Sequence, residues 1–146
     1  MAKLTKAIDV VAPAEKIFGT LDDPKAMPLY VPAVTDVTDV RKSETRVGDT
    51  FRATYGLMGM RFNLKFTNTE HDPARKIASR FEGAMKGVMA YTLEPRGNST
   101  RVKFDVDYEM SGGVLGKAVG KLLVERMNEK NAERMLENLK MLVEAK

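Results

Sequence analysis

A chain of 146 residues, 43% hydrophobic and 30% charged, has the size and balance of one globular domain with a substantial core. It contains no cysteine, which excludes disulfides, thiolate metal sites and a cysteine nucleophile. Its net charge of +4 is spread through interleaved acids and bases, without tryptophan or basic–aromatic runs, so a solvated surface is expected and nucleic-acid binding is not.

Residues Met1–Val11 alternate polar and apolar without the apolar core of a signal peptide, and the cytoplasm is the expected location. Leu4–Val11 predicts a first strand carrying Leu4, Ile8 and Val10. Pro13 then stands as the first residue of a helix with Ile17, Phe18 and Leu21 on one face, ending at Asp22-Asp23. Asp23 caps a second short helix that starts at Pro24 and is interrupted by Pro28. Met27, Leu29, Tyr30 and Val31 make this segment apolar enough to plug one end of a core or to form a lid over it.

Val34–Lys42 predicts a poorly alternating strand that suits a sheet edge, and Arg46–Asp49 a turn. An antiparallel meander follows. A two-residue turn at Met58-Gly59 places Tyr55 opposite Phe62 and Phe51 opposite Phe66. His71-Asp72-Pro73 reads as a surface turn, remote from the inward-facing residues, and Gly83–Gly87 as a further turn. The loop at 96–99 sets Leu93 across from Val102 and Tyr91 across from Phe104. The last strand alternates Val102, Phe104, Val106, Tyr108 and Met110 against charged residues, so one face of the sheet is covered and the other wet.

After Gly112-Gly113 there is no proline, and after Gly120 no glycine, among strong helix formers. A helix over 114–145 is expected, about 48 Å long at 1.5 Å per residue. Its apolar residues fall on two faces. Leu115, Ala118, Val119, Leu122 and Leu123 lie on one side, and Val124, Ala132, Met135, Leu136, Leu139, Leu142 and Val143 almost opposite. Either the helix breaks near 124–130, or its first turns bury a different face, or those turns stay exposed for a second copy or a membrane at Leu115, Val119 and Leu122. Asn128 and Asn131 interrupt the second stripe. They sit at its solvent edge, or they are buried and need polar partners, water or a ligand.

The inward set combines large rings with hydroxyls: Phe51, Tyr55, Phe62, Leu64, Phe66, Ser79, Phe81, Met89, Tyr91, Phe104, Val106 and Tyr108. A sheet that only packs on a helix favours Val, Ile and Leu; this lining suits a cavity wall with a few orienting polar groups. Ten methionines add side chains able to adapt to a guest. With Met27 and Tyr30 from the short helix and Asn128, Asn131 and Met135 from the long one, these residues (Ser79 aside) are the candidate ligand contacts.

Several stretches carry a family resemblance: Ala12-Pro13-Ala14-Glu15-Lys16-Ile17-Phe18; Arg46-Val47-Gly48; Leu93-Glu94-Pro95 leading to Thr100-Arg101-Val102; Leu115-Gly116-Lys117; and Glu133-Arg134 to Asn138-Leu139-Lys140. Together with the element order, they resemble the START/Bet v 1-like superfamily, in its polyketide-cyclase and coenzyme-Q-binding-like branch. The resemblance implies an α+β helix-grip fold, with about seven curved antiparallel strands around a long C-terminal helix and two short helices after the first strand. It also implies an apolar ligand, such as a lipid, quinone or polyketide, held between sheet and helix.

Catalytic motifs are missing. The single histidine has no companion ligands, and no nucleophile elbow, phosphate loop or dinucleotide fingerprint occurs, so neither metal nor cofactor is expected. An enzyme on this scaffold, of aromatase/cyclase or dehydratase type, would polarise a carbonyl with Tyr55, Tyr91, Tyr108, Asn128 or Asn131. The leading expectation is binding or transport of a hydrophobic small molecule; a cyclase-like enzyme comes second, and association with a macromolecular partner such as a ribosome third.

Overall fold

The computed structural model describes residues 2–57, 59–110 and 121–145. Seven antiparallel strands form one open sheet in the order β1-β7-β6-β5-β4-β3-β2. They are β1 (Ala2–Val10), β2 (Val34–Arg41), β3 (Thr50–Leu57), β4 (Met60–Asp72), β5 (Lys76–Gly83), β6 (Met85–Arg96) and β7 (Ser99–Met110). Helix α1 (Ala14–Leu21), a 3₁₀ turn (Pro24–Ala26) and the one-turn α2 (Met27–Tyr30) lie between β1 and β2, and α3 (Lys121–Glu144) follows β7. This is the helix-grip arrangement.

Local chemistry accounts for most boundaries. Pro13 sits one residue earlier than expected, as the extended N-cap of α1 (φ −70°, ψ 151°), where its missing N–H costs nothing. Asp23 caps the 3₁₀ turn by accepting from the Lys25 N–H at 3.1 Å. Register follows the alternation: Tyr55 pairs with Phe62, Phe51 with Phe66, Leu93 with Val102 and Tyr91 with Phe104. β2 is an edge strand with two register shifts, which explains its weak alternation.

Alternation misled at one place. Between Asn68 and Glu70 the register of β4 on β5 slips by one residue, and the bulge at Thr69 exchanges the two faces of the strand beyond it. His71, expected at a surface turn, therefore points inward. Its side chain is 9% exposed and stands edge-on to the Phe18 ring, with centroids 5.2 Å apart.

Helix α3 lays Val124, Ala132, Met135, Leu136, Leu139 and Val143 inward, whereas Leu123 is exposed. Leu142, expected in the buried stripe, is 37% exposed; at 100° per residue it sits about 60° off the line through Leu139, on the flank. Residues 111–120 lie outside the described residues, as do the side chains of 121 and 122. The faces expected for Leu115, Val119 and Leu122 fall within that stretch; from Lys121 onward the helix is continuous, without a break near 124–130. Polar ties fix its position. Lys6 Nζ bridges Glu129 and Glu133 at 2.9 and 3.0 Å, Lys140 Nζ donates to the Asp9 carbonyl, and Asn138 Nδ2 donates to the Tyr30 carbonyl.

Candidate functional site

Two groups of buried side chains make up most of the interior. One joins α1, α3, β1, β6 and β7 around Ile17, Val102 and Leu139; the other joins α2 with β2–β5 and β7 around Phe51, Leu64 and Phe66. They do not fuse completely, and the space between them is a cavity of about 100 Å³. A void of about 150 Å³ lined by aliphatic and aromatic groups admits a benzene-sized molecule, and this one, at about two-thirds of that volume, holds only a smaller guest as it stands. A larger guest requires side chains to move, and four flexible methionines lie in the wall: Met27, Met85, Met89 and Met135.

Thirteen of the sixteen candidate contacts line this cavity. They are Met27, Tyr55, Leu64, Phe66, Phe81, Met89, Tyr91, Phe104, Val106, Tyr108, Asn128, Asn131 and Met135. Tyr30 and Phe51 line a smaller void of about 30 Å³ beside it, from which Met27, Met89 and Tyr91 separate the main cavity. Phe62 packs instead with Leu57 and Val124. The sequence reading missed Leu4, Val31, Ala33, Val34, Met85 and Ala132 as cavity walls. Leu4 belongs to the apolar residues of the first strand and Ala132 to the apolar stripe of α3, so their periodicity was legible. The contribution of 31–34 depends on how the loop after α2 docks.

Among the described residues the wall is apolar apart from one cluster and the Tyr91 hydroxyl. Tyr55 Oη donates to Asn128 Oδ1 at 3.0 Å, and Asn128 Nδ2 donates to Tyr108 Oη at 3.0 Å. Asn131 lies on the same wall beside the Tyr55 hydroxyl. Of the two asparagines, Asn128 is buried with polar neighbours as partners, and Asn131 is half-buried. Burial raises the pKa of Tyr55 and Tyr108 above the ordinary value, although the asparagine bonds oppose it. Tyr91 is raised further by burial and then by Tyr30; among the described residues its hydroxyl finds only the Met135 thioether, at 3.1 Å. All these hydroxyls are neutral donors at neutral pH. Asn128→Leu should cost about 2 kcal/mol, because it leaves two buried hydroxyls without their shared partner; a lowered urea midpoint at unchanged slope is the expected reading.

A polar network adjoins the small void. The Arg46 guanidinium grips the Asp22 carboxylate through both terminal nitrogens at 2.8 and 3.1 Å, and its Nε donates to Asp49 at 2.5 Å. His71 Nε2 lies 3.0 Å from Asp22, while Ser79 Oγ donates to Asn68 Oδ1 at 2.9 Å. Burial works against Asp49, but hydrogen bonds from Arg46 and Ser43 outweigh it and hold its carboxyl below the usual range. This network ties the end of α1 to the 43–49 loop, and neither His71 nor Arg46 is among the residues lining either void. No group of three or more His, Cys, Asp or Glu side chains suited to a metal ion occurs among the described residues. No helix among them is long and apolar enough to cross a membrane.

Comparison with curated protein sequences gave no significant match. Among solved structures the chain is similar to a protein of Thermus thermophilus, with TM-score 0.83 and 21% identity over 97% of each chain. It is similar to a START superfamily protein of Mycobacterium smegmatis, with TM-score 0.81 and 19% identity over 97% of each chain. The Zhui aromatase/cyclase of Streptomyces sp. R1128 has TM-score 0.76 and 17% identity, over 98% of this chain and 93% of the other. Identities this low establish the fold alone. The family model described as polyketide cyclase/dehydrase and lipid transport matches residues 1–144, essentially the whole chain, and the chain belongs to that family, on the START-like helix-grip fold.

Proposed function

We propose that the protein binds and carries a hydrophobic small molecule in the cavity between the sheet and α3, without transforming it. One observation carries this reading. Among the described residues, none of those lining the main cavity is Asp, Glu, His, Lys or Arg, and the ionisable groups there are tyrosines held neutral by burial. Such a wall desolvates and orients a guest but offers no general base near neutral pH. The alternative, a cyclase-like enzyme, is favoured by the Tyr55–Asn128–Tyr108 cluster, which could steady a developing enolate. It would have to obtain its proton acceptor from the substrate or from solvent.

Native mass spectrometry with and without solvent extraction provides the test, using the wild type and Ala132→Leu, which adds volume to the cavity from α3. The expected result is an apolar molecule released from the wild type and absent from a folded Ala132→Leu protein. The same molecule retained equally by the variant would overturn the proposal. Its recovery in chemically altered form after incubation with the protein would favour the enzyme.

A further inference from the structure

The smaller void of about 30 Å³ beside the main cavity has a wall of a different kind. Asp22, Asn68, Ser79, Tyr30 and Tyr91 all line it, and the last four are buried. Tyr30 is 2% exposed, and among the described residues its hydroxyl makes no hydrogen bond; the Asn138 amide binds its backbone carbonyl instead. A buried hydroxyl without a partner forfeits the whole of its hydration. Its neighbours place this hydroxyl at the void. Burial and then Asp23, next to the wall residues Asp22 and Pro24, raise its pKa, and Tyr30 in turn raises that of Tyr91 on the same wall.

The other wall groups are partly spent. Ser79 Oγ gives its proton to Asn68 Oδ1 and Tyr91 gives its own to the Met135 thioether, so both oxygens keep acceptor lone pairs. Asn68 Nδ2 donates to the Arg46 carbonyl and carries a second N–H. Donors and acceptors are therefore both left over, among the described residues, around one small space. An apolar group there would leave the Tyr30 hydroxyl unpaired. A cation would have to compete for Asp22, which Arg46 already holds through both carboxylate oxygens. A molecule that both donates and accepts satisfies this wall whichever way the hydroxyls turn. One water needs about 10–15 Å³ and two to four polar partners, so the void has room for one water and at most two.

We infer that the small void is a binding site for ordered water, which joins the Tyr30 hydroxyl on α2 to the Asn68–Ser79 pair of β4 and β5. The void is then filled space, and the main cavity does not extend into it past Met27, Met89 and Tyr91.

A high-resolution crystal structure, repeated under xenon pressure, tests this, because xenon enters dry apolar voids. The expected result is water within hydrogen-bond distance of Tyr30 Oη and of Ser79 or Asn68, with xenon in the main cavity but not here. No water density, xenon in the small void, or a direct bond from the Tyr30 hydroxyl to a protein atom would overturn the inference. Xenon absent from the main cavity would count against the cavity reading alone. Urea unfolding gives a second readout. Tyr30→Phe removes a water-bonded hydroxyl and is expected to lower the folding equilibrium constant about fivefold at unchanged slope. Removing an unpaired hydroxyl would leave that constant unchanged or raise it, and either result would overturn the inference equally.

Discussion

Replacing Gly87 by alanine should destabilise the protein by about 3 kcal/mol, a drop in melting temperature of about 10 °C for a chain of this length. On the inner face of the sheet one cross-strand row runs Phe51, Phe66, Phe81, Gly87, Tyr108, so the glycine interrupts a line of rings. Phe51 and Phe66 are stacked with centroids 4.9 Å apart, and Phe66 and Phe81 are tilted at 5.6 Å. At Gly87 the backbone of β7 comes so close that an added Cβ would collide with the Asp107 carbonyl oxygen and lie 2.8 Å from Tyr108 Cα. Backbone cannot swing aside as a side chain can, so β7 would have to move, and Tyr108 with it. Gly19 is the matching control. Nothing lies within 4 Å of a Cβ there, and Gly19 is in α1, so Gly19→Ala should stabilise by about 0.5–1 kcal/mol through helix propensity. Thermal melts of the two variants should shift in opposite directions; an unchanged melting temperature for Gly87→Ala would show that the sheet yields there without cost.

Alkaline titration should produce no separate tyrosinate step near pH 10. All four tyrosines have folded-state pKa values raised above the ordinary value, chiefly by burial. A raised folded pKa means that the neutral form is favoured by folding. The corresponding stability is fully present below the unfolded value of about 10 and is lost as pH rises through the folded values. The melting temperature should therefore be insensitive to tyrosine ionisation up to about pH 9.5 and fall steeply above about pH 10. Absorbance at 295 nm should rise together with the loss of far-UV circular dichroism, in one cooperative step. A tyrosinate signal that titrates near pH 10 while the dichroism stays native would show that hydroxyls reach solvent without unfolding, and would weaken the description of these hydroxyls as buried.

Much of this architecture was legible because it rests on short-range rules. The β3–β4 and β6–β7 registers follow from strict alternation and short turns, and α1 follows from Pro13 and the spacing of Ile17, Phe18 and Leu21. The stretch 83–87 illustrates the limit. Two glycines in close succession suggest a turn, yet β6 begins at Met85, and Gly87 is a strand residue whose missing side chain answers a crowding that only the folded sheet creates. His71 was misplaced for a similar reason. A bulge at Thr69 leaves no mark in the alternation of β4, but it exchanges the faces of the strand and turns an apparent surface residue toward Asp22 and Phe18.

The sequence by itself determined the inward faces of the regularly alternating strands, that rings, methionines and hydroxyls dominate them, and that two asparagines break the apolar stripe of α3, because the periodicities of strand and helix are local properties of the chain. Tertiary structure alone decided that the two packed groups fail to merge, leaving about 100 Å³ between them, and that Asn128 meets Tyr55 and Tyr108, residues 73 and 20 positions away along the chain. Whether facing side chains fill the space between a curved sheet and a helix is fixed by their summed volumes and the distance between the elements, and no local pattern records that distance.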